Sequence, residues 1–172
     1  MTHIKSDLKK GFTRTPKFGV SLQSKRGFTL IELLVVIAII GVLAGVVLAS
    51  TNNARIRGAD AAVKADLSSI TREAELYYGN NTESYGVFAQ AVCPAVVGGG
   101  TDLFRNDATI VKIIVGAVAQ GGNGSSCSSS GGAYAVAVGL KTAGLARCVD
   151  STGNATQFTG TPAAAITTSK CN

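Results

Sequence analysis

The distribution of apolar residues divides the chain into three zones, and the first is a continuous apolar run. Between Phe28 and Ser50 nearly every residue is apolar, and Glu32 carries the single charge. A helix of this length spans about 34 Å, enough to cross the hydrocarbon core of a bilayer. We therefore predict a membrane-spanning helix over residues 28–50. A carboxylate inside such a span is costly and is usually functional.

The second zone has apolar residues on one side only, at intervals of three and four. This spacing predicts an amphipathic helix over residues 51–78. Asp60 and Lys64 are predicted to form an i, i+4 pair on its solvated side. Gly79-Asn80-Asn81 is predicted to end the helix. The apolar stripe consists of Ile56, Ala59, Val63, Leu67, Ile70, Ala74 and Tyr77.

The third zone contains short apolar segments separated by Gly, Ser and Asn. After a connecting loop over residues 79–108, these segments predict a small antiparallel β-sheet within residues 109–172. Residues 121–132, rich in Gly and Ser, are predicted to form a flexible surface loop. The predicted strands are Ile110–Ala119, Tyr134–Leu140, Ala146–Val149 and Thr156–Phe158.

The positive charge of the chain is confined to its N-terminus. The formal net charge is +6, and all of this excess precedes Phe28; the remainder is neutral. Positive residues beside an apolar span are retained in the cytoplasm. Residues 1–27 are therefore predicted to be a cytoplasmic leader, and residues 51–172 an exported head. A neutral head without a basic stripe interleaved with aromatic residues argues against nucleic acid as a partner.

A short motif joins the basic leader to the apolar run. It consists of Gly27, Phe28, Thr29, Leu30, Ile31 and Glu32. This segment resembles the prepilin motif of type IV pilins and type II secretion pseudopilins, and the resemblance covers residues 25–50 closely. It implies the α+β pilin fold, in which a long N-terminal helix packs on a small C-terminal antiparallel β-sheet.

The resemblance also implies how the chain is processed and assembled. A prepilin peptidase in the membrane would cut between Gly27 and Phe28, and the new Phe28 amine would be methylated. Glu32 would then pair with that amine and favour one axial register among packed subunits. The implied partners are other copies of the chain in a helical homopolymer, the peptidase, a filament assembly platform and the membrane. The protein would begin as a single-pass membrane protein with a cytoplasmic N-terminus and end in a surface filament.

Two other cleavage positions are conceivable. Val47-Leu48-Ala49 loosely resembles an ordinary signal peptidase site, but cleavage there leaves Glu32 unexplained. Gly11-Phe12 repeats the junction at Gly27, but no apolar run follows it.

Gly41 and Gly45 lie four residues apart on one side of the apolar helix. They indicate either close contact with another helix or only the general abundance of small residues in membrane helices.

The four cysteines, Cys93, Cys127, Cys148 and Cys171, all lie in the predicted exported head. An even number in an oxidising compartment favours disulfides, although free or mispaired thiols stay possible. A zinc site would want at least one close Cys or His pair, and the spacing offers none. The resemblance implies a C-terminal disulfide loop, Cys148 to Cys171, which leaves Cys93 to pair with Cys127.

Enzymatic chemistry is not expected, because the single histidine, His3, lies in the leader and no nucleophile, base and orienting group can be assembled without it. No cofactor is expected either. The oxygen-rich segment 150–154 contains Asp150 and suggests either a calcium loop or, more simply, a β-turn, since it lacks the carboxylates of an EF-hand loop.

The sequence therefore predicts a structural subunit of a type IV pilus or related filament. The four cysteines and the Gly- and Ser-rich head favour an extracellular fibre. The alternatives are a pseudopilin of a type II secretion or DNA-uptake machine, a membrane-anchored adhesin module, and a secreted monomer with an ordinary signal peptide.

Overall fold

The computed structural model describes residues 27–172. The predicted leader, including the junction at Gly11-Phe12, lies outside the described residues except for Gly27. The described chain divides into two units, residues 27–42 and 43–172. The described part of the first unit is the beginning of the first helix.

The described residues form three helices and seven strands. The helices are α1 (Leu30–Asn80), α2 (Leu103–Asn106) and α3 (Ala108–Gly121). The strands are β1 (Phe88–Ala91), β2 (Ser125–Ser130), β3 (Ala133–Gly139), β4 (Leu145–Asp150), β5 (Ala155–Thr159), β6 (Ile166–Thr167) and β7 (Lys170–Cys171).

The second unit is built on a five-stranded antiparallel sheet with the order β1-β2-β3-β4-β5. One face of this sheet packs on the apolar stripe of α1, from Val63 to Tyr77. Tyr134, Val136 and Val138 of the central strand β3 belong to this core and are fully buried. The predicted fold is confirmed: a long N-terminal helix packs on a C-terminal antiparallel sheet.

The opposite face of the sheet has its own smaller core. The alternate β3 residues Ala135 and Ala137 pack with Cys148, Ala165 and Ile166. β6 and β7 form a short antiparallel hairpin at this core. Both faces of β3 are therefore covered, so its burial is continuous rather than alternating.

The strand predicted over Ile110–Ala119 is wrong, because this segment lies in helix α3. Asp107 caps the helix by accepting hydrogen bonds from the Thr109 and Ile110 amides over 2.8 and 2.9 Å. Gly122, in the left-handed region with φ of 77°, ends the helix. The run of β-branched residues suggested a strand, but the two caps and burial at intervals of three and four residues favour a helix.

The flexible loop predicted over residues 121–132 is also wrong in its central part. Ser125–Ser130 is strand β2, which pairs along its whole length with β3. Its serines and Cys127 are largely buried. The abundance of serine predicted a loop, but hydrogen bonding to a neighbouring strand on each side makes this segment a strand. The predicted connecting loop over residues 79–108 likewise contains β1 and α2.

The β6–β7 hairpin turns through two consecutive left-handed residues, Thr168 and Ser169, with φ of 53° and 60°. Two-residue hairpin turns of this kind usually contain Asn and Gly, so the sequence lacks the usual signal. Ser169 is buried and shares a hydrogen bond of 2.9 Å with Ser128 of β2.

Candidate functional site

Helix α1 begins with reciprocal hydrogen bonds between Thr29 and Glu32. The Thr29 amide and hydroxyl each donate to the Glu32 carboxylate over 2.9 Å. The Glu32 amide donates to the Thr29 hydroxyl over 3.2 Å. This arrangement is a capping box, which satisfies backbone donors that the first turn leaves unpaired. It gives Glu32 a local role besides the one expected from the resemblance, and the Thr-x-x-Glu spacing is its signal in the sequence.

Apolar side chains surround the Glu32 carboxylate. Phe28, Ile31, Val35 and Val36 line, with Glu32, a concavity of about 370 Å³. Phe28 and Ile31 are 83% and 71% exposed. The site therefore presents one carboxylate in an apolar surface that another molecule would have to cover.

The apolar surface continues along α1. Every large apolar side chain from Leu30 to Leu48 is at least 48% exposed. Within the described residues, α1 is the one helix long and apolar enough to cross a membrane, with a mean hydropathy of 3.0 over its most apolar 18-residue window. Because exposing so much apolar surface to water is unfavourable, this part of the helix requires lipid or other helices around it.

Within the described part of the chain, the glycines of this region have no steric role. A Cβ atom added at Gly27, Gly41 or Gly45 would meet nothing within 4 Å among the described residues. The fold therefore does not require glycine at the predicted cleavage site. Close helix contact at Gly41 and Gly45 is likewise not made within the described chain.

The cysteines belong to the second unit, whereas Glu32 belongs to the first. Cys93, which follows β1, is bonded to Cys127 of β2, and Cys148 of β4 is bonded to Cys171 of β7. The resemblance implied only the second pair, and the first is the pair that remains. The first disulfide ties the segment after β1 to the sheet, and the second ties the C-terminal hairpin to it.

The Asp150 carboxylate accepts hydrogen bonds from its own turn and from strand β7. It accepts from the Thr152 amide and hydroxyl, the Asn154 amide and the Cys171 amide. Burial opposes ionisation, but these hydrogen bonds outweigh it and hold the pKa of Asp150 below its usual value. The geometry is that of a β-turn with its carboxylate turned inward. Both carboxylate oxygens therefore serve the turn and its link to β7.

Asp60 has a role that its sequence position did not reveal. It is buried rather than solvated, and it accepts hydrogen bonds from the Lys141 amide over 2.6 Å and the Thr142 amide over 3.2 Å, and from the Thr142 hydroxyl. The predicted pair with Lys64 is wrong, because the carboxylate holds the β3–β4 turn instead. A polar residue within an apolar stripe, between Ala59 and Val63, is the signal that could have identified it.

Comparison with known proteins agrees with the motif. The prokaryotic N-terminal methylation motif matches residues 22–48. Over 60 residues the chain is 43% identical to the type IV wide pilus major component PilA4 of Thermus thermophilus. This alignment covers 35% of the chain and 46% of the relative, so the chain spans about half the length of the curated relative it matches. No solved structure matches the chain.

The matched segment contains the residues that the sequence singled out. Gly27, Phe28 and Glu32 all lie within residues 22–48, together with most of the exposed apolar surface of α1. The fold agrees with this comparison, because a long helix packed on an antiparallel sheet is the arrangement that the resemblance to type IV pilins implied.

Proposed function

We propose that the chain is a prepilin that becomes a structural subunit of a type IV pilus. The observation that carries this proposal is the motif itself: a Gly-Phe junction, a carboxylate five residues after Gly27, and an exposed apolar helix in continuous sequence. The relative from Thermus thermophilus, a major component of a wide pilus, supports the same class of function.

The first step of the proposed pathway is processing of the leader. Basic residues hold the N-terminus in the cytoplasm while the apolar helix enters the membrane, so the head is exported. A prepilin peptidase then cuts after Gly27, and the Phe28 amine is methylated. Among the described residues nothing requires glycine at Gly27 for steric reasons, which supports a role in recognition by the peptidase rather than in the fold.

Cleavage changes the electrostatics around Glu32. Before it, the carboxylate accepts hydrogen bonds from Thr29; after it, an ammonium group exists at Phe28. Two opposite charges about 4 Å apart attract by roughly 4 kcal/mol at an effective dielectric near 20. An ammonium of a neighbouring subunit would therefore favour one register as a subunit leaves lipid for the filament.

A filament also requires a surface through which its subunits can pack, and the exposed apolar helix provides this surface. In the membrane, lipid covers the side chains of residues 28–50, and in the filament the same side chains of neighbouring subunits cover one another. Gly41 and Gly45 would allow two such helices to approach closely. The heads, each with its own core, then face outward.

Mass spectrometry of filaments sheared from cells that express the chain tests this proposal. The expected species has 145 residues and begins with N-methylated Phe28. A mature N-terminus near Ser50 would contradict the prepilin assignment and favour an ordinary signal peptide. A correctly processed chain that stays in the membrane fraction, without sheared filaments, would favour the pseudopilin or the anchored adhesin over the pilus subunit.

A further inference from the structure

Three basic residues lie at the end of the head that follows the apolar run. Arg55 and Arg57 are on α1, shortly after Ser50, and both are exposed. The third, Lys141, lies in the turn between β3 and β4 and is also exposed. We call Arg55, Arg57 and Lys141 the basic collar.

Asp60 brings the distant Lys141 to this part of α1. Its carboxylate accepts hydrogen bonds from the Lys141 amide over 2.6 Å and from the Thr142 amide over 3.2 Å. Because Asp60 lies about one helical turn after Arg57, the β3–β4 turn is held close to the arginine-bearing segment of the helix. The basic collar is therefore a feature of the folded head, since 81 residues separate Lys141 from Asp60 in sequence.

The positive charge of the basic collar is not neutralised within the described chain. None of its three residues forms an ion pair with another described residue. Asp60 is the nearest carboxylate along α1, but it is buried beneath the turn amides, so three positive charges face one negative charge. Lys64 and Asp66, the next charged residues of the helix, have opposite signs and balance each other.

The position of the arginines along α1 matches the headgroup region of a bilayer. In the second unit, the exposed large apolar side chains of α1 end at Leu48, and the predicted membrane span ends at Ser50. At a rise of 1.5 Å per residue, Arg55 and Arg57 lie about 8 to 10 Å beyond Ser50. The polar layer on each side of a bilayer is about 5 to 8 Å thick, and long basic side chains can extend back into it.

We propose that the basic collar binds the phosphate groups of anionic phospholipids on the exported side of the membrane; the proposal rests on the membrane span and exported head of the proposed function. Positive residues beside a span are normally concentrated in the cytoplasm, so three on the other side call for a partner. The guanidinium group of arginine suits phosphate, and each basic residue near an anionic membrane strengthens binding about fivefold. The contact seats the head on the bilayer until the subunit leaves the membrane.

Phospholipid is favoured over the carboxylates of a second copy because of where the collar lies. It follows directly on the apolar part of α1 that lipid would cover before assembly. Anionic headgroups are therefore beside the collar as soon as the helix is inserted, whereas a second copy reaches it only during assembly.

Fluorescence of the full chain in lipid vesicles tests this contact. The chain has no tryptophan, so Ala143→Trp, at an exposed position of the β3–β4 turn, supplies a single reporter. A phosphatidylcholine with a nitroxide on its headgroup quenches this reporter at close approach. We expect quenching to be about twofold stronger in vesicles that contain phosphatidylglycerol than in vesicles of phosphatidylcholine alone. Equal quenching in the two lipids would overturn the proposal.

Two charge-matched variants of the reporter chain separate the collar from a general effect of charge. The collar variant combines Arg55→Gln, Arg57→Gln and Lys141→Gln and is expected to lose the difference between the two lipids. The control variant removes three exposed basic residues elsewhere in the head and is expected to keep that difference. Equal loss in both variants would show non-specific attraction of the head and refute the collar. The control variant combines Arg72→Gln, Lys112→Gln and Lys170→Gln.

Salt provides a check on the reporter chain with its collar intact, in case the collar variant fails to fold. Raising the ionic strength from about 0.1 M to about 1 M shortens the screening length from about 10 Å to about 3 Å. The additional quenching in phosphatidylglycerol should then disappear. Its persistence at high salt would show that the attraction is not electrostatic and would contradict the proposal.

Filament yields distinguish phospholipid from a second copy as the partner. A collar variant that keeps the lipid difference but gives few sheared filaments would place carboxylates of a neighbouring copy at the collar, and would overturn the lipid contact. The vesicle measurement does not depend on assembly. Wild-type cells without sheared filaments would therefore contradict the proposed function while leaving the vesicle result to decide the lipid contact.

Discussion

The two units of the chain differ in what covers their apolar side chains. In the first unit, all the described apolar residues of α1 are exposed, and the one carboxylate is satisfied only by Thr29. In the second unit, α1 and the sheet bury a core that includes Leu67, Ile70 and Tyr134 completely, and two disulfides hold its outer segments. The second unit is therefore stabilised by its own core, whereas the beginning of α1 buries none of its apolar side chains within the described chain.

This comparison predicts that changes in the first unit alter processing and assembly, while changes in the second alter the free energy of unfolding. A variant of the first unit that lowers the free energy of unfolding, or a variant of the second unit that alters processing, would contradict this division.

The largest effect is expected from Gly27→Ala. The added methyl group meets nothing within 4 Å among the described residues, so the head should fold normally, but the peptidase should no longer cut. We expect the leader to stay attached and sheared filaments to be absent, as measured by intact mass and by fractionation. Gly11→Ala, at the other Gly-Phe junction of the leader, is the matched control and should be processed normally.

The next largest effect is expected from Glu32→Ala. Cleavage after Gly27 should proceed, and membrane anchoring becomes easier without a buried charge, but the subunit loses the attraction that favours its register. The lost attraction amounts to roughly 4 kcal/mol, so incorporation into filaments should fall at least tenfold. Quantitative mass spectrometry of the filament and membrane fractions measures this ratio. Glu83→Gln, which removes an exposed carboxylate of the head, should assemble normally. Wild-type incorporation of Glu32→Ala would refute the role in register.

In the head, we expect the double change Cys148→Ala with Cys171→Ala to lower the free energy of unfolding by about 3 kcal/mol, because the unfolded chain is no longer constrained by that loop. Denaturant unfolding of the full chain in detergent, at non-reducing conditions, measures the difference. Peptide mapping of the wild type should recover Cys93 with Cys127 and Cys148 with Cys171. A link between Cys93 and Cys148 would contradict this assignment.

A smaller loss is expected from Asp60→Asn. The amide keeps the size of the side chain and one oxygen that can still accept from the Lys141 and Thr142 amides, but it removes the negative charge that strengthens these hydrogen bonds, so we expect a loss of about 1 to 2 kcal/mol. The same unfolding measurement checks this value. Asp66→Asn is the control, because Asp66 is only half-buried and accepts one long hydrogen bond from Gln120. Equal losses in both variants would contradict the role of Asp60 in holding the turn.

The smallest effect is expected from Thr29→Val, which removes the hydroxyl of the capping box. The loss of an N-cap costs about 1 kcal/mol, and it should be confined to the first turn of α1. Hydrogen exchange in detergent should show faster exchange of the Glu32 amide and unchanged protection in the head. Thr51→Val, which removes a hydroxyl bonded to the Val47 carbonyl within the same helix, should leave the first turn unaffected.

The parts of the fold that the sequence predicted correctly are those with a long, uninterrupted periodicity. The stripe from Val63 to Tyr77 extends over several turns, and β3, β4 and β5 have turn residues on both sides. Helix α3 was misassigned because β-branched residues dominate it, although Asp107 and Gly122 mark its ends. Strand β2 could not be recognised because serine has no preference for strands, and its conformation depends on pairing with β3.

The residues of the site divide in the same way into those that a local sequence pattern reveals and those that depend on the folded chain. Gly27, Phe28 and Glu32 could be singled out because the motif is local and contiguous. The role of Asp60 depends on a turn 81 residues away in sequence, so its position in the apolar stripe could indicate burial but not the turn that it holds.

The disulfides have a mechanical consequence for a subunit under tension. If a pulling force unfolds the head, the segments enclosed by Cys93–Cys127 and Cys148–Cys171 cannot lengthen, because each bond carries the load past its loop. The loops, with separations of 34 and 23 residues, withhold on the order of 190 Å of extension at about 3.4 Å per residue. A head with both disulfides intact therefore extends less when it unfolds. Adding a reductant during single-molecule stretching should lengthen each unfolding step by about that amount.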